Sequence, residues 1–555
     1  MGAAAGRRTG ADGVSLLGGG VASLPARLAG RIQNERARQT LQRDLERLVD
    51  GAAEPPADGM RIGIATLDSG AWHLAIELLL AHALRLRGAR TQLLVCDLPT
   101  LPICDERTIH SRSIDRCAGC VDDKASLLTA ARLPWRGVSQ YVDAGARQQA
   151  QRVVAGLRDE ELTRYQEGRW PIGEWLHVSA SHFLRRDAAG ADAEIFDTRR
   201  RLLVAAIVVT QAVDRWLEAV RPDVVIAESG AHLTWRIALE LARARGVPVV
   251  CREMGKGGWD HHIYALNADS MSPDLGSAWA LARRQPLTAD EDAAVDAFIR
   301  ELPARTYTQA PGRHGHATVS IPRGDRVAVA FTNVTWDLAT AGRDVAFNGV
   351  LDWLAESIDA LSGYQGVHLV VRVHPAESSA GTREPLVDRL RARWPGGLPH
   401  VTVVGPDETA TVRELCARAD VTLAYNSTAG LEAAAFGRPV VLCGAPHYRG
   451  KGFTIDVSTR EEYRERLRAW ASGGDVCTPP DAEALARRYC HLFFLRYHLR
   501  MGWTTSPLGP PFELTIRSFS ELAPGANPVL DVVCAGILNA TQIVLPRSLA
   551  VTGAP

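Results

Sequence analysis

Two short stretches carry the residue types needed to grip an anion. Leu369 to Glu377 reads LVVRVHPAE, an apolar run that ends in Arg372, His374, Pro375 and Glu377. An imidazole at the carboxyl end of a strand, fixed by the proline that follows, is suited to donate a hydrogen bond to a phosphate oxygen, and open α/β sheets bind their ligands at that end. A histidine that merely caps the strand is the plain alternative. Asp420 to Thr454 reads DVTLAYNSTAGLEAAAFGRPVVLCGAPHYRGKGFT, in the order strand, loop, helix, turn, strand. Its loop, Asn426-Ser427-Thr428-Ala429-Gly430, sets hydroxyls and free backbone N–H groups at the positive end of a helix, where an anion is expected. Glu432 falls in the first turn, to satisfy helix-start amides or to reach a ligand hydroxyl. An ordinary helix cap without a ligand explains the same residues.

Ten cysteines in 555 residues are too sparse for a disulfide scaffold. Cys96, Cys104, Cys117 and Cys120 form the one metal-like group, with a CxxC at one end and His110 as a substitute ligand. A structural zinc is one reading, and buried thiols in a reducing compartment are the other.

The elements that position these residues are α/β. Met60 onward gives strand RIGIATL, helix WHLAIELLLAHALRLRG and strand TQLLVCD, a βαβ unit, and Arg221 to Arg252 repeats the order. A helical region, Ala150 to Arg215, separates them. After a Gly-, His- and Pro-bearing segment a second series follows, RVAVAFTN, VHLVVRVH, HVTVV, VTLAY and PVVLC. We expect five parts: 1–58, an N-terminal helical extension; 59–285, a Rossmann-like lobe; 286–325, a linker; 326–475, a second Rossmann-like lobe; and 476–555, a crossing helix and tail. In the extension, Leu28, Ile32, Leu41, Leu45 and Leu48 form a thin apolar stripe that suits the protein's own surface, a partner or a membrane surface.

HPAE, followed by NSTAGLEAAAFGRPVVLCGAPHYRGKGFT, resembles the bacterial capsule polysaccharide synthesis family, whose members are similar to GT-B glycosyltransferases that use CMP-activated Kdo or sialic acid. FTNVTWDLA and RDVAFNGVLDWL extend the likeness over Phe331 to Thr454, and it weakens in the amino-terminal half. The resemblance implies a fold class of α/β with two Rossmann-like lobes (GT-B type), an N-terminal helical extension and a C-terminal crossing helix. It implies transfer of a sugar from a nucleotide sugar to a surface-glycan or lipid-linked glycan acceptor, with Arg372, His374, Glu377, Asn426, Ser427, Thr428, Gly430 and Glu432 on the donor side. No DxD-like metal pair precedes these stretches, so catalysis without a metal cofactor is expected. Transfer also needs a base or nucleophile from the first lobe. Asp68, in DSGAWH, is the first choice, then Glu253 in REMGKGG, with Glu228 and His232 as further strand-end candidates.

Lys plus Arg and Asp plus Glu both number 63, so no net field draws nucleic acid. The first sixty residues lack the order of a signal peptide, and a cytoplasmic enzyme with peripheral contact at the inner membrane face is expected. The competing functions are a sugar-nucleotide epimerase, a CDP-polyol phosphotransferase, and a non-catalytic scaffold of polysaccharide assembly.

Overall fold

The computed structural model describes residues 24–49, 58–67, 70–97, 103–104, 116–305, 324–338, 340–505 and 512–550. Asp68, His110 and the amino-terminal Gly- and Ala-rich stretch lie outside them.

Runs of three to six residues, most of them apolar, form strands β1 (Arg61–Thr66), β2 (Arg90–Val95), β3 (Trp135–Gly137), β4 (Val224–Glu228), β5 (Val249–Met254) and β6 (His261–Leu266). With the late strand β13 (Leu499–Arg500) they build a seven-stranded sheet in the order β13-β6-β5-β4-β1-β2-β3. The pairs from β5 to β3 are parallel, while β6 and β13 are antiparallel additions. A second sheet, wholly parallel, takes β7 (Arg326–Phe331), β8 (Val367–Arg372), β9 (Val401–Val404), β10 (Val421–Ala424), β11 (Val440–Leu442) and β12 (Ile455–Asp456) in the order β12-β11-β10-β7-β8-β9. Continuous burial along β4, β8 and β10, and along β1 after the exposed Arg61, is what a parallel sheet covered on both faces requires. Gly63 in β1 leaves the space that the Trp216 ring occupies, since an added Cβ would stand 2.6 Å from it. These are two Rossmann-like lobes in the GT-B arrangement.

In each sheet the chain order reverses at one place, between β1 and β4 in the first lobe and between β7 and β10 in the second. Helices after the two strands leave in opposite directions there, and the crevice at the carboxyl strand ends is where such sheets take ligands.

The extension docks on the first lobe. Leu41, Leu45 and Leu48 are buried in its core, and Arg38 pairs with Asp123 of helix Arg116–Ala131. Residues 286–305, expected as linker, are mostly the helix Ala289–Arg305, whose Val295, Phe298, Ile299 and Leu302 are core residues. The crossing helix ends sooner than its sequence suggests. Ala482–Cys490 is α-helical, His491–Tyr497 widens into a π-helical turn, and the chain then enters the first sheet as β13. The tail continues over the same lobe, where helix Pro528–Leu538 buries Leu530, Val533, Cys534 and Ile537. Among the described residues no helix is long and apolar enough to cross a membrane.

Candidate active site

The second lobe's switch point is tied together by two consecutive residues after β7. The His374 N–H donates to Thr332 Oγ1 at 3.1 Å, and the Asn426 N–H donates to Asn333 Oδ1 at 3.0 Å. The HPAE stretch and the Ser/Thr loop therefore meet at one place. His374 has a defined tautomer. Its Nδ1 accepts the Ala376 N–H at 3.1 Å, so the proton sits on Nε2. Burial, then the charges of Lys256 and Arg372, hold its pKa down at about 3, so the ring is a neutral N–H donor near pH 7.

The loop after Asn426 differs from a simple open helix start. Helix Ala429–Ala435 has only seven residues, and Thr428 makes no side-chain cap. Ser427 takes the first amides itself: its hydroxyl accepts the Ala429 N–H at 3.3 Å and its carbonyl accepts the Gly430 N–H at 3.1 Å. The Ser427 carbonyl also accepts the Tyr448 hydroxyl at 2.6 Å. Gly430 is small for packing, because an added Cβ would lie 2.4 Å from that hydroxyl. The expected free amides at Gly430 are thus consumed within the turn. Asn426 is different, 5% exposed with neither amide atom partnered among the described residues, which in a buried side chain calls for a ligand or water.

Positive charge comes from the other lobe. Lys256 stands in the Gly-rich loop between β5 and β6, and its ammonium acts on His374, Glu432, His447 and His498 together. Glu432 is buried, and burial lifts its carboxyl to about 7 against the pull of Lys256. Arg343, from the second lobe, crosses the seam to Ser272 Oγ at 2.6 Å and Asp269 Oδ1 at 3.5 Å. Opposite it, Arg186 reaches Glu384 at 3.1 Å and Arg383 reaches Glu194 at 2.6 Å. The imidazole of His447 is stacked on Phe493 with centroids 3.7 Å apart, and its Nε2 is buried with no partner among the described residues.

Two expected donor residues turn inward instead. Arg372 gives its guanidinium to the carbonyls of Gly405 and Glu408, the latter at 2.9 Å, and so clamps the exit of β9. Glu377 accepts the Leu386 N–H and is buried, with its carboxyl lifted to about 7 by that burial.

At the first lobe's switch point lies a second polar group. Glu228, the last residue of β4, is buried between His73, in the first turn of helix Ala71–Arg85, and Arg252 of β5, whose Nη2 is 3.3 Å away. Thr66 at the end of β1 donates to Glu77 at 2.6 Å. Burial, and then the charge of Glu228, raise Glu77 to about 7. Glu253 is half-buried and accepts the Met254 N–H at 2.9 Å. His232 is buried against His182, which faces Trp336 of the second lobe. Sequence reasoning named Glu228, Glu253 and His232 but passed over His73, Lys256, Arg343 and His447. A lysine among glycines at a strand end, GKGG, was the signal for Lys256.

The four-cysteine metal centre does not form among the described residues. No three His, Cys, Asp or Glu side chains there come together to hold a metal. Cys117 and Cys120 lie one turn apart on helix Arg116–Ala131, while Cys96 follows β2.

Residues 346–471 match the capsule polysaccharide biosynthesis protein family. The matched segment holds His374 and the Asn426–Glu432 loop, and the first lobe with Lys256 lies outside it. No curated protein matches the chain in sequence. Among solved structures, a beta Kdo 2,4 transferase, KpsC of Thermosulfurimonas dismutans, is 17% identical over 50% of this chain and 81% of that one, with a TM-score of 0.33. The UDP-GlcNAc 2-epimerase of Neisseria meningitidis is 11% identical over 77% and 98%, with a TM-score of 0.24. The calicheamicin glycosyltransferase CalG4 is 14% identical over 78% and 94%, with a TM-score of 0.25. The strand orders above, and not these scores, carry the fold.

Proposed function

We propose that the protein transfers a sugar from a nucleotide-activated donor, with CMP as the nucleotide, to a surface-glycan or lipid-linked glycan acceptor. The observation that supports this best is the switch point that holds the HPAE stretch and the Ser/Thr loop together through Thr332 and Asn333, with the Asn426 amide buried there and the Lys256 charge acting from the other lobe. The donor phosphate lies among the Lys256 ammonium, the His374 Nε2–H, the Thr428 hydroxyl and the Asn426 amide. As the bond from anomeric carbon to phosphate oxygen breaks, negative charge grows on the phosphate, and fixed donors aimed at it stabilise that state most. A cation and a neutral N–H do there what a divalent metal does in other transferases, so the chemistry runs without one. The enzyme works in the cytoplasm, meeting its acceptor at the inner membrane face.

Thermal melting with a nucleotide panel tests the reading. CMP is expected to stabilise the protein most. Stabilisation by UDP alone favours sugar-nucleotide epimerisation, and no response to any nucleotide favours a scaffold.

A further inference from the structure

His73 is paired with a buried carboxylate. Its Nδ1 is buried against Glu228 Oε1, yet a quarter of the side chain, 25%, remains exposed. The exposed part is therefore the opposite edge, which carries Nε2. With the Nδ1 proton turned to the carboxylate, Nε2 keeps its lone pair. Glu228 is held in turn by Arg252, and Arg252 by His262 Nδ1 at 3.2 Å. This chain of buried groups fixes one orientation of the ring.

The surroundings suit a sugar. The Trp259 ring lies against His73 with centroids 4.6 Å apart, and Phe512 backs both Trp259 at 5.8 Å and Trp72 at 4.9 Å. Trp72 and Trp259 are each half-buried, leaving indole surface of the kind on which the C–H face of a pyranose packs. Trp259 and Lys256 share one loop, three residues apart, so their Cα atoms stand at most about 11 Å from each other. That single loop joins the aromatic floor to the donor phosphate site.

Resting on the transfer reading above, we propose that His73 is the catalytic base of the acceptor side and that Trp72 and Trp259 form the floor of the acceptor sugar site. The acceptor hydroxyl gives its proton to His73 Nε2 while its oxygen bonds to the anomeric carbon. The bond from that carbon to the donor phosphate breaks, and the electron pair leaves with the phosphate. Glu228 is a positioning residue, too deeply buried to touch substrate. The charges facing His73 are Glu228 on β4, Arg252 and Glu253 on β5, Glu77 on its own helix, and the more distant His262 ring on β6. Burial lowers the His73 pKa, but Glu228 outweighs it and the net shift is upward. Because the base has to be neutral to accept a proton, turnover falls on the acid side, with its midpoint above the ordinary imidazole value of about 6.5.

The test compares the full chain with His73→Gln, His73→Ala and Trp259→Ala. Turnover is measured with CMP-Kdo, CMP-sialic acid and UDP-N-acetylglucosamine as donors and capsular oligosaccharide as acceptor, and CMP affinity by calorimetry. His73→Gln is expected to lose about a hundredfold or more in turnover with CMP affinity unchanged, and added imidazole to restore part of the His73→Ala loss. Trp259→Ala is expected to raise the acceptor KM at least tenfold. Turnover of His73→Gln within threefold of the unaltered protein overturns the base. Should the unaltered protein transfer from no donor, the transfer reading itself falls, and the base with it.

Discussion

The backbone N–H of Asn426 donates to the side-chain carbonyl of Asn333 at 3.0 Å, across the point where the second sheet reverses its strand order. That bond hangs the Ser/Thr loop from the exit of β7, one residue from Thr332, which accepts the His374 N–H. Asn333→Ala leaves a buried N–H without its acceptor, a loss of roughly 1–3 kcal/mol. A lowered melting temperature and weaker CMP binding are expected together, by calorimetry and thermal melting; a stability loss with unchanged CMP affinity would detach the loop from the donor.

His374 acts as a neutral donor, and the ring's pKa of about 3 sets how it responds to pH. If CMP binds as proposed, the contribution of His374 is expected to stay constant from about pH 5 to 8, because the ring carries no charge anywhere in that window. His374→Ala is expected to lose about a hundredfold in turnover, roughly 3 kcal/mol, without unfolding. His374→Gln, which keeps an N–H, recovers part of it. Equal turnover in the alanine variant and the unaltered protein would return HPAE to a strand cap.

Glu432 gives a stability signature. Folding raises its carboxyl from 4.5 to about 7. The folded state therefore holds the proton more tightly, and this stabilising contribution is complete below the unfolded value and lost as pH rises through about 7. Ionising the buried group costs on the order of 3 kcal/mol. Glu432→Gln is expected to melt above the unaltered protein at about pH 8 and level with it at about pH 4. A variant that melts lower at both values contradicts this account of the site's charge.

Arg372 separates fold from function. Its guanidinium clamps the carbonyls of Gly405 and Glu408, so Arg372→Ala is expected to cost stability while leaving CMP affinity nearly unchanged. Thermal melting and calorimetry on the same sample distinguish this from a phosphate contact, whose loss would weaken CMP tenfold or more.

Much of this fold was legible because parallel strands are continuous apolar runs: RIGIAT, VVIAE, VHLVVR and VTLA each end near where the sequence says. β6 was missed because HHIYAL carries two histidines that the structure buries in the sheet, and β13 because it is two residues long and lies inside an apparent helix. His374, Asn426 and Ser427 were legible from their places at strand ends. Arg372 and Glu377 share those places, but which way a side chain turns there is set by the β9 exit loop and by Leu386, both distant in sequence from a motif reading. His73 and Lys256 went unread for a related reason. Their significance lies in partners more than a hundred residues away, Glu228 and His374.

Calorimetric titration of CMP into the protein and its Lys256→Ala variant tests the donor site most directly, because Lys256 lies outside the segment that carries His374. The account predicts that CMP binds the unaltered protein and that losing the ammonium weakens binding about tenfold to a hundredfold, about 1.4–2.7 kcal/mol, with a shallower salt dependence. Equal CMP affinity in the two proteins, or no CMP binding to either, would contradict it.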